Sequence, residues 1–213
     1  MLYAGVSDRV WLLGDALGPL RIGFFYGMIA AIVALAGDLR FLVIDPSALD
    51  TWVLAVIETY RSSLALAACL FLGILAALRV RPTRLDPGVP YRSLLLRDGA
   101  LAATVVAIVF GATVFLTTAL QATLLADQVR AYAEEAAPRI TAYVDELAQR
   151  FDEPSPTTVE EVESGLQPPA LRALGRSITN FVLRAVLLGT AGGLMGLLRG
   201  RSGTPVGGKP RTE

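Results

Sequence analysis

The chain has 213 residues, 54% of them hydrophobic, with 19 basic against 19 acidic residues and a mean hydropathy of +0.55. A soluble domain is closer to roughly 45–50% apolar, and the excess here is gathered into four blocks nearly free of charge. With no histidine and one cysteine, Cys69, the His-containing zinc sets and any internal disulfide are excluded, and no dense basic face exists to bind nucleic acid.

Residues 1–19 are mixed in character. Ser7 is expected to cap a short helix over 8–17 lying at the membrane surface, where Trp11 suits the interface. Asp8, Arg9 and Asp15 interrupt the apolar run, so a signal peptide is not expected. Gly18-Pro19 is expected to break the chain before the first span, placed at about 20–38. A loop with the turn signal Asp45-Pro46-Ser47 follows.

The second span is placed at about 57–78. Its uninterrupted apolar part, 64–78, covers only about 22 Å at helical rise, too short to cross a hydrocarbon core of about 30 Å. The helix must therefore extend back toward Trp52 and carry Glu58 and Arg61 at one membrane face. Residues 79–98 hold five arginines and Pro82, Pro87, Gly88 and Pro90, and read as a loop. The third span is placed at about 99–120.

The polar segment 121–176 begins with apolar residues at three- and four-residue intervals: Leu125, Val129, Tyr132, Ala136, Ile140, Tyr143, Leu147 and Phe151. That period predicts an amphipathic helix, kinked at Pro138. Residues 152–158 read as a linker, and Thr158 with Glu161 forms a capping box for one short further helix. The fourth span is placed at 177–198, and the tail 199–213 reads as basic and disordered.

Loop charge gives an orientation. Segments 79–98 and 199–213 each carry a net charge of +3, while 38–51 carries −2 and 121–176 carries −5. Positive loops stay in the cytoplasm, so both termini are expected there, with the acidic helical segment outside. Lys209 is the only lysine in a basic set otherwise made of arginine, a bias that points to a GC-rich bacterial genome. The expected location is thus a multi-pass position in a bacterial inner membrane.

Two groups of residues are candidates for function. The first is a polar cluster at the outer end of the spans: Asp38, Arg40, Glu58, Arg61, Gln121, Asn180 and Arg184, with Glu58 or Asp38 expected to pair with Arg184. It could be a vestibule for a ligand, lipid headgroup or partner, or an interfacial ion pair with snorkelling arginines. The second is small residues at helix-contact spacing: Gly23 and Gly27 in the first span, and Gly189, Gly192, Gly193 and Gly196 in the fourth. The fourth span's two stripes could pack inside the bundle, or leave one face spare for a partner. Adjacent carboxylates such as Glu134-Glu135 diverge around a helix and make no acid/base pair. No P-loop, nucleophile elbow or metal-ligand pattern is present, and no cofactor is expected.

The stretches LRVRPTRLDPGVPYRSLLLRDG, before the third span, and QVRAYAEEAAPRITAYVDELAQRF, before the fourth, give the chain a recognisable plan. It resembles a bacterial family of four-span membrane proteins known only as a domain of unknown function. The likeness covers most of residues 20–198, is architectural, and implies no activity. The expected fold is an all-α integral membrane four-helix bundle with an external amphipathic helical insertion between spans three and four. The expected function is that of a non-catalytic accessory or scaffold subunit, contacting membrane lipid and associating with itself or a larger membrane complex. The alternative is a small transport protein or a ligand- or lipid-sensing protein that uses the polar cluster. The ionisable groups lie near one face, whereas a transporter usually places them near mid-membrane.

Overall fold

The computed structural model describes residues 10–81, 91–151, 157–170 and 172–202, with the side chains of 10–17, 173, 177, 201 and 202 left undescribed. Ser7 and its cap, the loop residues 82–90, the linker residues 152–156 and the tail 203–213 lie outside the described residues. All regular structure among the described residues is helical: α1 (Val10–Asp38), two short 3₁₀ turns (Arg40–Leu42 and Pro46–Ala48), α2 (Thr51–Arg79), α3 (Tyr91–Ala122), α4 (Ala126–Arg150), α5 (Val159–Leu166) and α6 (Ala173–Ser202). Four of these are long and apolar enough to cross a membrane, over Gly18–Asp38, Thr51–Arg79, Tyr91–Ala122 and Leu174–Gly200. The protein is an all-α, multi-pass membrane protein.

Two boundaries differ from the sequence reading and a third agrees with it. First, α1 runs through Pro19, which is buried, with no break at Gly18-Pro19. Proline removes one helical hydrogen bond, whereas ending the helix inside an apolar stretch would strip partners from several backbone groups. Second, α3 begins at Tyr91, so Arg92, Arg97 and Asp98 are helical and not part of a loop. Third, α2 starts at Thr51 and carries Glu58 and Arg61 within one 29-residue helix, about 43 Å long. The short apolar stretch of this span required such an extension.

The described chain divides into two compact units. The first comprises Met1–Ile32, Ala67–Ala112 and Thr179–Glu213. Within it α3 is the central element, and glycines let its neighbours approach. A Cβ on Gly23 of α1 would lie 2.6 Å from the Ala102 carbonyl oxygen, and one on Gly27 would lie 2.9 Å from Val109 Cβ. On α6, a Cβ on Gly189 would meet Thr104, one on Gly192 would meet Ala103 and the Gly99 carbonyl, one on Gly193 would touch Ala100 and one on Gly196 would strike the Leu95 carbonyl. Both glycine stripes of α6 therefore face α3, and Gly189 and Gly193 also line an open groove between the two helices. The contacts are backbone-close and lined by Ala102, Ala103 and Ala107, all buried. Dispersion at this range holds helices together where lipid provides little hydrophobic drive. Arg199 Nη1 donates to the carbonyls of Leu78 and Val80, both at 2.6 Å, satisfying acceptors that the end of α2 leaves open.

The second unit comprises Val33–Leu66 and Thr113–Ile178. Its core joins α2 to the polar insertion: Leu54 and Ala55 of α2 pack with Tyr132, Ala136 and Ile140 of α4. The expected apolar stripe of α4 is buried at Val129, Tyr132, Ala136 and Ile140, but runs out into solvent at its C-terminal end, where Leu147 is 40% and Phe151 69% exposed. The Thr158 side chain accepts from the Glu161 N–H at 3.2 Å and opens α5, as the capping-box spacing predicts. Asp45 accepts from the Ser47 N–H at 2.8 Å and the Ser47 hydroxyl at 2.7 Å, holding the turn between α1 and α2. These bonds favour the ionised carboxylate and hold the Asp45 pKa below its usual range.

Candidate functional site

The polar cluster centres on Glu58, a carboxylate two turns into α2 whose side chain is 5% exposed. Arg40 reaches it from the first 3₁₀ turn. Its Nε donates to one Glu58 oxygen and its Nη2 to the other, a two-pronged pair matched to the planar guanidinium. The third prong, Nη1, donates to the Gly37 carbonyl at 3.2 Å. Arg61, one turn along α2, places its Nε 3.3 Å from Glu58 Oε2. From α4, the Tyr132 hydroxyl donates to Glu58 Oε1 at 2.7 Å, and the Tyr132 ring lies 5.3 Å from the Arg40 guanidinium carbon.

A second node lies on Asp38. Its Oδ2 accepts from the Thr117 hydroxyl at 2.6 Å, and its backbone carbonyl accepts from Gln121 Nε2 at 2.6 Å. The end of α1, the first 3₁₀ turn, α2, α3 and α4 are thus tied together by two carboxylates and two arginines, whose charges balance. Burying such a set is costly unless each charge finds both a partner and hydrogen bonds. Here both Glu58 oxygens are occupied.

The sequence-predicted residues therefore separate. Asp38, Arg40, Glu58, Arg61 and Gln121 come together in the second unit. Asn180 and Arg184 belong to the first. Glu58, expected to pair with Arg184, takes Arg40 and Arg61 instead, and Asp38 takes Thr117. The reason is reach: the 3₁₀ turn after α1 folds Arg40 back over Glu58, and hydropathy gives the depth of a charge but not the direction it faces.

The apolar period marks Tyr132 only as a stripe residue. A buried tyrosine hydroxyl needs an acceptor, which was the available signal for its second role. Burial, reinforced by the neighbouring Glu58 charge, pushes the Tyr132 phenol above its ordinary 10.0. The folded protein then keeps a proton that the unfolded chain releases, so stability is complete below about pH 10 and declines as pH rises past it. The melting temperature should hold level to about pH 9 and fall between about pH 10 and 11. Tyr132→Phe should make that fall shallower, and superimposable wild-type and variant profiles there would refute the assignment.

Asp98 of α3 is a buried carboxylate counted in the sequence only as loop charge. One oxygen lies 2.8 Å from Arg97 Nε, and the other has no hydrogen-bond partner among the described residues. Beside the Glu58 cluster, an open cleft of about 430 Å³ is lined by Phe41, Asp45, Gln128, Tyr132 and Glu135. No group of His, Cys, Asp and Glu side chains among the described residues could hold a metal ion.

No protein family, curated protein or solved structure matches the chain. The four-span resemblance drawn from its layout accordingly rests on architecture alone, and the functional reading rests on the geometry above.

Proposed function

We propose that the protein is a non-catalytic membrane scaffold or accessory subunit. It holds the α4–α5 insertion rigidly against the ends of its spans and offers that insertion to another membrane protein. The carrying observation is the saturation of Glu58 by Arg40, Arg61 and Tyr132. A carboxylate with both oxygens engaged clamps the insertion in place and leaves no open position for a substrate. The exposed end of the α4 stripe, Leu147 and Phe151, supplies apolar surface for a partner. The alternation of loop charge supports an arrangement with both termini in the cytoplasm and the insertion outside a bacterial inner membrane.

The cleft lined by Asp45, Gln128 and Glu135 supports a second reading, a sensor of a small cationic ligand. Copurification in mild detergent separates the two. A scaffold brings down a stoichiometric membrane-protein partner that Phe151→Asp releases while the melting temperature stays within a few degrees of wild type. A lone monomer carrying a bound small molecule would instead favour the sensor.

A further inference from the structure

Arg184 is the charge that the cluster leaves out. It lies inside the fourth span, is partly exposed, and makes no hydrogen bond or ion pair among the described residues. Its position on α6 is defined by neighbours on α2. Leu188, one turn on, packs against Gly73. The only carboxylate among the described side chains of its unit is Asp98. Asp98 adjoins Gly99, which touches Gly192, two turns of α6 or about 12 Å from Arg184. The helix Ala173–Ser202 carries no acidic residue at all. Asn180, also exposed, precedes Arg184 by one turn on the same face, so an amide and a guanidinium stand one above the other.

Depth identifies what they face. With Arg199 at one hydrocarbon boundary, a core of about 30 Å ends about 20 residues earlier, near Thr179. The Arg184 backbone then lies about 8 Å inside that boundary. Helical side chains lean toward the N-terminus, so its guanidinium leans toward that boundary, on the side where the lipid phosphates lie and where Asn180 stands. A carboxylate on a partner helix would have to bury a second charge inside that boundary, whereas lipid phosphate is already abundant just beyond it.

We propose that Asn180 and Arg184 form a binding site for the phosphate of an anionic membrane lipid, in the leaflet at the N-terminal end of α6. The guanidinium supplies the charge and a two-pronged donor set, and the Asn180 amide supplies a further donor. This site is independent of the scaffold reading and requires only that α6 spans the membrane.

The test is native mass spectrometry of the full-length protein, delipidated in mild detergent and titrated with phosphatidylglycerol or phosphatidylcholine. Wild type should retain phosphatidylglycerol preferentially. Arg184→Gln should weaken that retention about ten-fold or more, the scale expected for a charge-assisted hydrogen bond, and Arg184→Lys should keep most of it. Asn180→Leu changes an exposed position and reads the same site if Arg184→Gln fails to fold; it should weaken retention several-fold. Equal retention by wild type and both neutral variants would overturn the proposal. So would inorganic phosphate binding as tightly as the lipid, which would assign the site to a free anion, or a copurifying protein lost with Arg184→Gln while lipid retention stays unchanged.

Discussion

Glu58→Gln is expected to destabilise the protein by about 3–5 kcal/mol, the cost of removing one partner from a buried ion pair. The amide keeps the shape of the side chain but takes away the charge that two arginines share. Arg40, whose side chain is 6% exposed, has no room to turn into solvent and is left as an uncompensated cation. Arg61, at 25%, can relax outward, which is why the loss stops short of two broken pairs. Equilibrium unfolding in mild detergent measures the effect. The Arg40→Met, Glu58→Met double variant should recover much of it, because the desolvation cost leaves together with the attraction. A Glu58→Gln protein within about 0.5 kcal/mol of wild type, the range of an ordinary surface change, would show that the clamp does not hold the insertion in place.

Gly192→Val is the second large effect, and it acts in the other unit. A Cβ at this position would lie 2.5 Å from Ala103 Cβ and 2.6 Å from the Gly99 carbonyl oxygen, and the latter is backbone that cannot rotate aside. Valine adds two methyl groups beyond that Cβ, so α6 must retreat from α3. Overpacking of this kind costs about 1–3 kcal/mol and occasionally more; a rigid backbone obstacle places this variant at the top of the range. Gly165→Ala is the matched control, since nothing lies within 4 Å of its Cβ position. It should leave stability unchanged or raise it by up to about 1 kcal/mol through helix propensity. Gly192→Val melting with the wild type would mean that α6 does not lie backbone-close to α3.

Much of this architecture is legible in the chain because a membrane reduces the problem to length and charge. Four apolar blocks become four long helices, since backbone groups in lipid must be satisfied within the helix itself. Arithmetic on 64–78 required α2 to carry Glu58 and Arg61, and α2 does. The apolar period of 125–151 made α4 an amphipathic helix, and Thr158 with Glu161 located the start of α5. Pro19 does not end α1, because the rule that proline breaks a helix holds in water, whereas in this apolar segment ending the helix costs more than one lost hydrogen bond.

The candidate site divides along the same line. That charges gather near one end of the spans follows from hydropathy, which reports depth along a helix. Which charges meet depends on the azimuth of each helix and the path of the turn between α1 and α2. That path brings Arg40, not Arg184, onto Glu58, and recruits Tyr132 from a helix more than 70 residues away in sequence. The glycine stripes show the same limit. Spacing alone identifies Gly192 and Gly196 as contact residues, but only the packed structure decides that both stripes of α6 face α3. The chain by itself thus determined four apolar spans and the depth of their charges, because both are properties of one helix in an apolar solvent. Pairing was decided by the tertiary structure, because a salt bridge or a backbone contact belongs to two segments at once, and nothing local to either segment specifies the other.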